Sequence, residues 1–209
     1  MASGDDPIGV IVTALGIGLA LAGAPGPVQA VVLTEAVRGG TRRGLLAVAG
    51  ASFAFGLLLI PTALGLSILT PSGTWLQVLQ LVGGGFLILL AADALRTPAT
   101  ETAEDPGRAG LPVPVRGSLA VLLNPGAWIF LGAVAAPLYA TAAQQGGTAS
   151  AVLVALALMV GAASGDAALA LVGAFGLRRA GPRVAHRIRQ LLALVLGGLG
   201  VWLVVGVLL

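Results

Sequence analysis

Long runs of apolar residues, separated by short polar stretches, make up most of this chain. A run of about 20 apolar residues is long enough to cross the hydrocarbon core of a bilayer as a helix. Six such runs are present, and we predict that each one spans a membrane. Their bounds are Ile8–Val37, Gly44–Leu69, Trp75–Leu95, Gly117–Tyr139, Ala149–Leu177 and Ile188–Leu209.

Composition agrees with an integral membrane protein. Of the 209 residues, 57% are hydrophobic and 9% are charged, whereas about 25% of the residues in soluble domains are charged. The chain has no cysteine and a single histidine, His186, which excludes thiolate metal sites, cysteine nucleophiles and clusters of histidine ligands. We therefore predict no bound metal and no cofactor.

The basic residues are confined to alternate connections between the predicted spans. With six spans these three connections lie on one side of the membrane, and the positive-inside rule makes that side cytoplasmic. We predict a protein of the cytoplasmic membrane with both termini outside. We interpret the placement of the basic residues as a topology signal and not as nucleic-acid binding; a specific lipid or partner site at Arg178–Arg189 is the alternative. The arginines concerned are Arg38, Arg42, Arg43, Arg96, Arg108, Arg116, Arg178, Arg179, Arg183, Arg187 and Arg189.

The longest polar stretch, residues 97–116, is rich in proline, threonine and acidic residues, which is typical of a linker. It divides the chain into a first three-helix unit, 1–96, and a second, 117–209. Because each unit has an odd number of spans, the two units enter the membrane in opposite senses. The predicted fold is therefore an all-α integral membrane protein in which six transmembrane helices form two inverted three-helix repeats.

Two Pro-Gly motifs interrupt corresponding spans of the two units. Pro25, Gly26 and Pro27 lie in span one, and Asn124-Pro125-Gly126 lies in span four. Proline removes a backbone donor and breaks a helix, so we predict that helices 1 and 4 are broken there. Paired breaks in an inverted repeat indicate the substrate site of a transporter, because the freed backbone groups can bind a ligand. The alternative is an ordinary proline kink in each helix.

A few polar side chains lie within the spans. Asp166 is near the middle of span five, where a charge costs roughly 2.5–3.5 kcal/mol. Burial there disfavours the charged form, so we predict a proton carrier; cation coordination, contact with a substrate ammonium group and a structural hydrogen bond stay open. Asn124 is predicted to cap a helix or to bind a substrate carboxylate, and Gln29 to line the same cavity. The predicted substrate- and ion-binding residues are Pro25, Gly26, Pro27, Gln29, Asn124, Pro125, Gly126 and Asp166.

Charged residues near the helix ends are predicted to pair locally. Glu35 with Arg38 and Asp93 with Arg96 are both at the i,i+3 spacing that allows a salt bridge along a helix.

Aromatic and glycine positions add two weaker expectations. Trp75, Tyr139 and Trp202 are predicted to form an interfacial belt at the outer ends of the spans. The G-x-x-x-G motif of Gly161 and Gly165 favours packing within the chain over dimerisation, and a homodimer stays open.

The two break regions resemble the signatures of a known family. "PGPVQAVVLTEAVRGGTRRGLLAVAG" (Pro25–Gly50) and "LLNPGAWIF" (Leu122–Phe130) are similar to the first and second signatures of the LysE/RhtB amino-acid exporters. The resemblance implies a secondary active exporter of amino acids or related small metabolites, driven by a proton or sodium gradient. One position departs from the family pattern: Phe55 stands where members often carry an acidic residue in helix two.

Other function classes fit less well. An intramembrane protease needs a nucleophile and a histidine base within the membrane, and Ser164 has no histidine in any span to activate it. We therefore predict that the protein is not an enzyme. A transporter of a metal cation or a lipid-linked molecule, and a membrane assembly protein without transport activity, stay open.

Overall fold

The residues described by a computed structural model, 7–24, 26–66, 73–96 and 111–208, are almost entirely helical. A π-helical turn at Leu131–Ala135 separates the last two helices. The helices are α1 (Pro7–Gly23), α2 (Pro27–Ala63), α3 (Gly73–Arg96), α4 (Val113–Leu122), α5 (Pro125–Phe130) and α6 (Ala136–Leu208).

Three helical stretches are long and apolar enough to cross a membrane: Pro27–Ala63, Pro125–Gly176 and His186–Val207. Shorter apolar helices cover Ile8–Gly23 and Gln77–Ala92. Many large apolar side chains of these helices are exposed, as lipid contact requires. Phe53 in α2, for example, is 73% exposed. The chain is therefore a membrane protein, while the count of six spans stays a prediction.

Helix α2 contains a sharp corner at Gly39 and Gly40. Gly40 has φ +71°, in the left-handed region that glycine occupies without the steric penalty of a Cβ atom. Neither glycine has helical dihedral angles, so α2 consists of two helical segments that meet at this corner. The corner lies in the predicted connection between spans one and two.

Helix α6 also changes direction. Its 73 residues would extend about 110 Å as one straight helix, far more than a bilayer requires. The first change is at Gly147, which has φ +72°. A second follows Ala174, which packs in one cluster with Ala36, whereas Leu196 packs in another with Val31. A straight helix would separate Ala174 from Leu196 by about 33 Å. The chain therefore turns back between them to reach neighbouring parts of α2.

Glycines let α1 approach the backbone of α6. A Cβ atom on Gly18 would collide with the carbonyl oxygen of Leu158, and one on Gly161 with the carbonyl oxygen of Leu15. Gly165 lies in the same way against α1. The G-x-x-x-G motif therefore packs within the chain, as predicted.

The same contact pattern recurs between α2 and α4. A Cβ atom on Gly117 would collide with the carbonyl oxygen of Ala47, and one on Gly50 with the carbonyl oxygen of Pro114. Ser118 adds a hydrogen bond of 2.9 Å to the carbonyl oxygen of Gly50. In both crossings each glycine lies three residues after the residue on its own helix whose carbonyl contacts the opposing glycine. The helix that precedes the first break and the helix that precedes the second thus pack in the same manner.

Adding a single methyl group at Gly161 is expected to destabilise the α1–α6 crossing. Gly161→Ala forces two backbones apart, which should lower the free energy of unfolding by about 1–3 kcal/mol or more. Gly176→Ala, in the same helix, is the matched control because no atom lies within 4 Å of its added Cβ. Thermal unfolding of both purified variants checks this, and equal melting temperatures would contradict the close crossing.

The predicted aromatic belt is wrong for Tyr139. This side chain is 3% exposed and packs in the largest core cluster, and its hydroxyl has no hydrogen-bond partner among the described residues. Trp75 and Trp202 are 40% and 71% exposed, which is compatible with a belt. Tyr139 packs there with Trp128, Leu131, Ala135 and Ala142, so its burial follows from contacts between helices that the sequence position does not reveal.

Helix α4 starts at Val113, and Arg116 is 8% exposed within it. The last residues of the predicted linker, 113–116, are therefore helical, while the division into two three-helix units stays a prediction. Residues 97–110 and the side chains of Asp93 and Arg96 lie outside the described part, so the linker and that predicted ion pair stay predictions.

Candidate functional site

Helical structure is interrupted at both Pro-Gly motifs. Helix α1 ends at Gly23 and α2 begins at Pro27, with Gly26 extended between them; Pro25 lies outside the described residues. Helix α4 ends at Leu122 and α5 begins at Pro125. At both sites a proline occupies the first helical position, where its missing N–H costs no hydrogen bond.

Two hydrogen bonds that involve side chains stabilise the second break. Asn124 Oδ1 accepts from the backbone N–H of Gly126 at 3.0 Å, which caps α5 and is worth about 1 kcal/mol. Trp128 Nε1 donates to the carbonyl oxygen of Leu122 at 2.8 Å, across the break. Asn124 therefore acts as a cap, one of the two roles predicted for it.

One cavity of about 250 Å³ lies between the two breaks. It contains six of the eight predicted site residues, namely Gly26, Pro27, Gln29, Asn124, Gly126 and Asp166. Pro125 is buried next to it as the first residue of α5. The other lining residues are Leu21, Ala22, Ala24, Val28, Ala51, Ser52, Phe55, Val121, Ala127, Met159, Ala162 and Ala163.

Asp166 forms the polar wall of the cavity together with Gln29. Gln29 Nε2 donates to Asp166 Oδ1 at 3.2 Å, which joins α6 to the first turn of α2. Asp166 is 7% exposed, and it is the ionisable side chain among the described residues that line the cavity. Gly26 leaves room for this contact, because a Cβ atom there would lie 3.2 Å from Gln29 Oε1.

Apart from Asn124 and Ser52, the rest of the wall is apolar. Phe55 is 7% exposed, and its ring centroid lies 6.1 Å from that of Phe130, with the planes tilted by 40°. Met159 and several alanines complete this side. Such a cavity can hold a small molecule with one charged and one apolar part.

A buried ion-pair network, which sequence reasoning missed, lies away from the cavity. Glu35 is 2% exposed; its Oε2 is 2.7 Å from Arg43 Nη2, and its Oε1 is 3.2 Å from Arg116 Nη1. Arg116 Nε also donates to the carbonyl oxygen of Leu111 at 2.9 Å. The pairing of Glu35 with Arg38 at the local spacing stays a prediction. Glu35 and Arg116 are 81 residues apart in the sequence, so no local spacing indicates their contact.

Metal chemistry finds no support in the part of the chain that is described. No group of three or more His, Cys, Asp or Glu side chains lies close enough there to hold a metal ion. The polar side chains that line the cavity are one carboxylate, two amides and one hydroxyl, those of Asp166, Gln29, Asn124 and Ser52.

Comparison with known proteins adds the family. No curated protein and no solved structure matches this chain at a significant level. The model of the LysE type translocator family matches residues 19–206, which include both breaks, the cavity and the ion-pair network. This match confirms the family suggested by the two motifs. The chain therefore belongs to the LysE type translocators, a family of membrane transporters.

Proposed function

We propose that this protein is a secondary active exporter of amino acids or related small metabolites. The observation that carries the proposal is the meeting of both helix breaks and one buried carboxylate, Asp166, at a single cavity. A cavity of about 250 Å³ suits a metabolite smaller than a drug-sized ligand, for which pockets of about 300–1,000 Å³ are usual.

The substrate carboxylate is proposed to bind at the N-terminal end of α2. Gly26 and Pro27 line the cavity there. The first N–H groups of a helix have no partner within it, and the helix dipole makes this end favourable for an anion. Asp166, on the other side of Gln29, supplies the negative charge that a substrate ammonium group or a proton requires.

Asp166 is proposed to couple export to the proton gradient. A single carboxylate takes up and releases one proton without further ligands. The contact from Gln29 would hold the side chain in place in the ionised form, because the amide N–H donates to the carboxylate.

Transport is proposed to proceed by alternating access between two inverted three-helix units, 1–96 and 117–209. The matching glycine crossings, α1 with α6 and α2 with α4, support this arrangement. So do the corner at Gly40 and the two changes of direction in α6, which divide the long helices near the predicted span ends. In this topology the arginine-bearing connections face the cytoplasm, and both termini lie outside.

Reconstitution tests the proposed function. The purified protein in proteoliposomes, loaded with a panel of labelled amino acids and subjected to an imposed pH gradient, should export at least one amino acid faster than protein-free liposomes. Dissipation of the gradient should abolish accumulation against the concentration difference. Failure to export any amino acid, with correctly folded protein in the membrane, would contradict the proposal.

A further inference from the structure

Phe55 and Asp166 occupy corresponding positions in the two halves of the molecule. Phe55 follows Gly50 by five residues, and Asp166 follows Gly161 by five residues. Gly50 and Gly161 are themselves equivalent, because each contacts a backbone carbonyl of a helix that precedes a break: α4 for Gly50 and α1 for Gly161. Both side chains line the cavity. The repeated architecture thus supplies an aromatic ring from one half and a carboxylate from the other.

We propose that Phe55 is the specificity-determining residue, and that the cavity selects amino acids with uncharged, apolar side chains over basic and acidic ones. This assignment rests on the proposed function and names the substrate class for the same cavity. The α-amino group of the substrate binds at Asp166, and its side chain lies against Phe55.

Charge balance in the cavity favours this substrate class. Asp166 provides one negative charge among the described lining residues. The α-amino group of the substrate uses it, so a second ammonium group, as on lysine, would be buried without a partner. An acidic side chain would equally lack a cation among those residues. Unpaired buried charges are strongly unfavourable.

The surroundings of Phe55 define an apolar subsite. Phe130 packs against its ring, and Met159 and Ala51 line the cavity with it. Since Phe55 is 7% exposed, its ring is held by neighbours and presents a fixed surface to the cavity. Shape and dispersion contacts with this surface would then discriminate among apolar side chains.

Competition assays with Phe55 variants test the assignment. Export of labelled leucine from proteoliposomes is measured against unlabelled leucine, phenylalanine, lysine and glutamate. Wild type should prefer leucine over lysine by at least about tenfold, the lower end of discrimination in an apolar pocket. Phe55→Asp should lose that preference and gain lysine export, because a second carboxylate then faces Asp166. Phe55→Leu should keep the preference for apolar substrates.

The control is Phe53→Ala, because Phe53 lies on the same helix, is 73% exposed and is absent from the cavity lining. Its substrate profile should equal that of wild type. If Phe55→Asp does not fold, Phe55→Ala serves instead, and a shift of at least about threefold toward larger apolar substrates is expected from the enlarged subsite.

The outcomes separate this assignment from the proposed function. Equal export of lysine and leucine by wild type, or unchanged selectivity in folded Phe55→Asp and Phe55→Ala, would overturn the role of Phe55 while amino-acid export stands. No export of any amino acid by wild type would overturn the proposed function and, with it, this assignment.

Discussion

Replacement of Asp166 by asparagine is expected to abolish gradient-driven export while the protein stays folded. Asparagine has nearly the same shape, and its Oδ1 can still accept the hydrogen bond that Gln29 donates. It cannot take up or release a proton. The rate of pH-driven export should therefore fall by about 10²-fold or more, the scale on which loss of a proton-transfer group acts.

Two transport modes distinguish the roles open to Asp166. In exchange of labelled for unlabelled substrate without a pH gradient, a pure coupling role predicts that Asp166→Asn still exchanges. A role in binding the substrate ammonium group predicts that exchange is lost as well. If Asp166→Asn exports substrate at the wild-type rate and with the same dependence on the pH gradient, both roles are contradicted.

Ser164→Ala is the matched control for this experiment. Ser164 lies two residues before Asp166 on the same helix, is exposed, and donates its hydroxyl to the carbonyl oxygen of Val160 at 2.7 Å. Its removal alters polarity on the other side of the helix and leaves the cavity unchanged. Export by Ser164→Ala should match that of wild type.

Most of the predicted site residues line one cavity, because the sequence signals that identified them depend on local chemistry. Proline alone does not decide the matter, since Pro61 lies inside α2. Next to a glycine it favours a break, so the breaks at Pro27 and Pro125 could be predicted from sequence. The predicted correspondence of the two spans then indicated a common cavity. Asp166 could be predicted as a site residue because an acidic residue in the middle of an apolar run has few structural uses.

Long-range packing accounts for what the sequence did not indicate. The contact between Glu35 and Arg116 depends on how α4 docks on α2, and a helical spacing rule supplies only the near neighbour Arg38. Tyr139 was predicted to be interfacial because it ends an apolar run, yet it packs in the largest core cluster with residues from other parts of the chain, such as Leu59 and Val154.

Of the two glycine crossings, only the one between α1 and α6 could be predicted from sequence, because the other depends on long-range packing. Gly161 and Gly165 form a motif on one helix, so their role in packing could be predicted. Gly50 and Gly117 belong to different helices, and neither is part of such a motif. Their close approach to the opposing backbone becomes apparent only when α2 and α4 are placed together.

Loss of the Glu35 carboxylate is expected to destabilise the protein more than loss of any exposed charge. Glu35→Gln removes the carboxylate charge that contacts the guanidinium groups of Arg116, whose side chain is 9% exposed, and Arg43. Removing one partner of a buried ion pair costs about 3–5 kcal/mol of the free energy of unfolding. Thermal unfolding of purified Glu35→Gln, with the exposed Arg42→Gln as control, measures the effect.

A double variant separates charge burial from simple loss of packing. In Glu35→Gln/Arg116→Met the anion and its most buried partner are both removed, so the double variant should be more stable than the sum of the two single effects predicts. Additive effects, or a melting temperature of Glu35→Gln equal to that of Arg42→Gln, would contradict a coupled pair. Glu35 precedes the Gly39-Gly40 corner, Arg43 follows it, and Arg116 belongs to α4. The network therefore ties the corner of α2 to α4, and its loss should loosen the contact between these two helices.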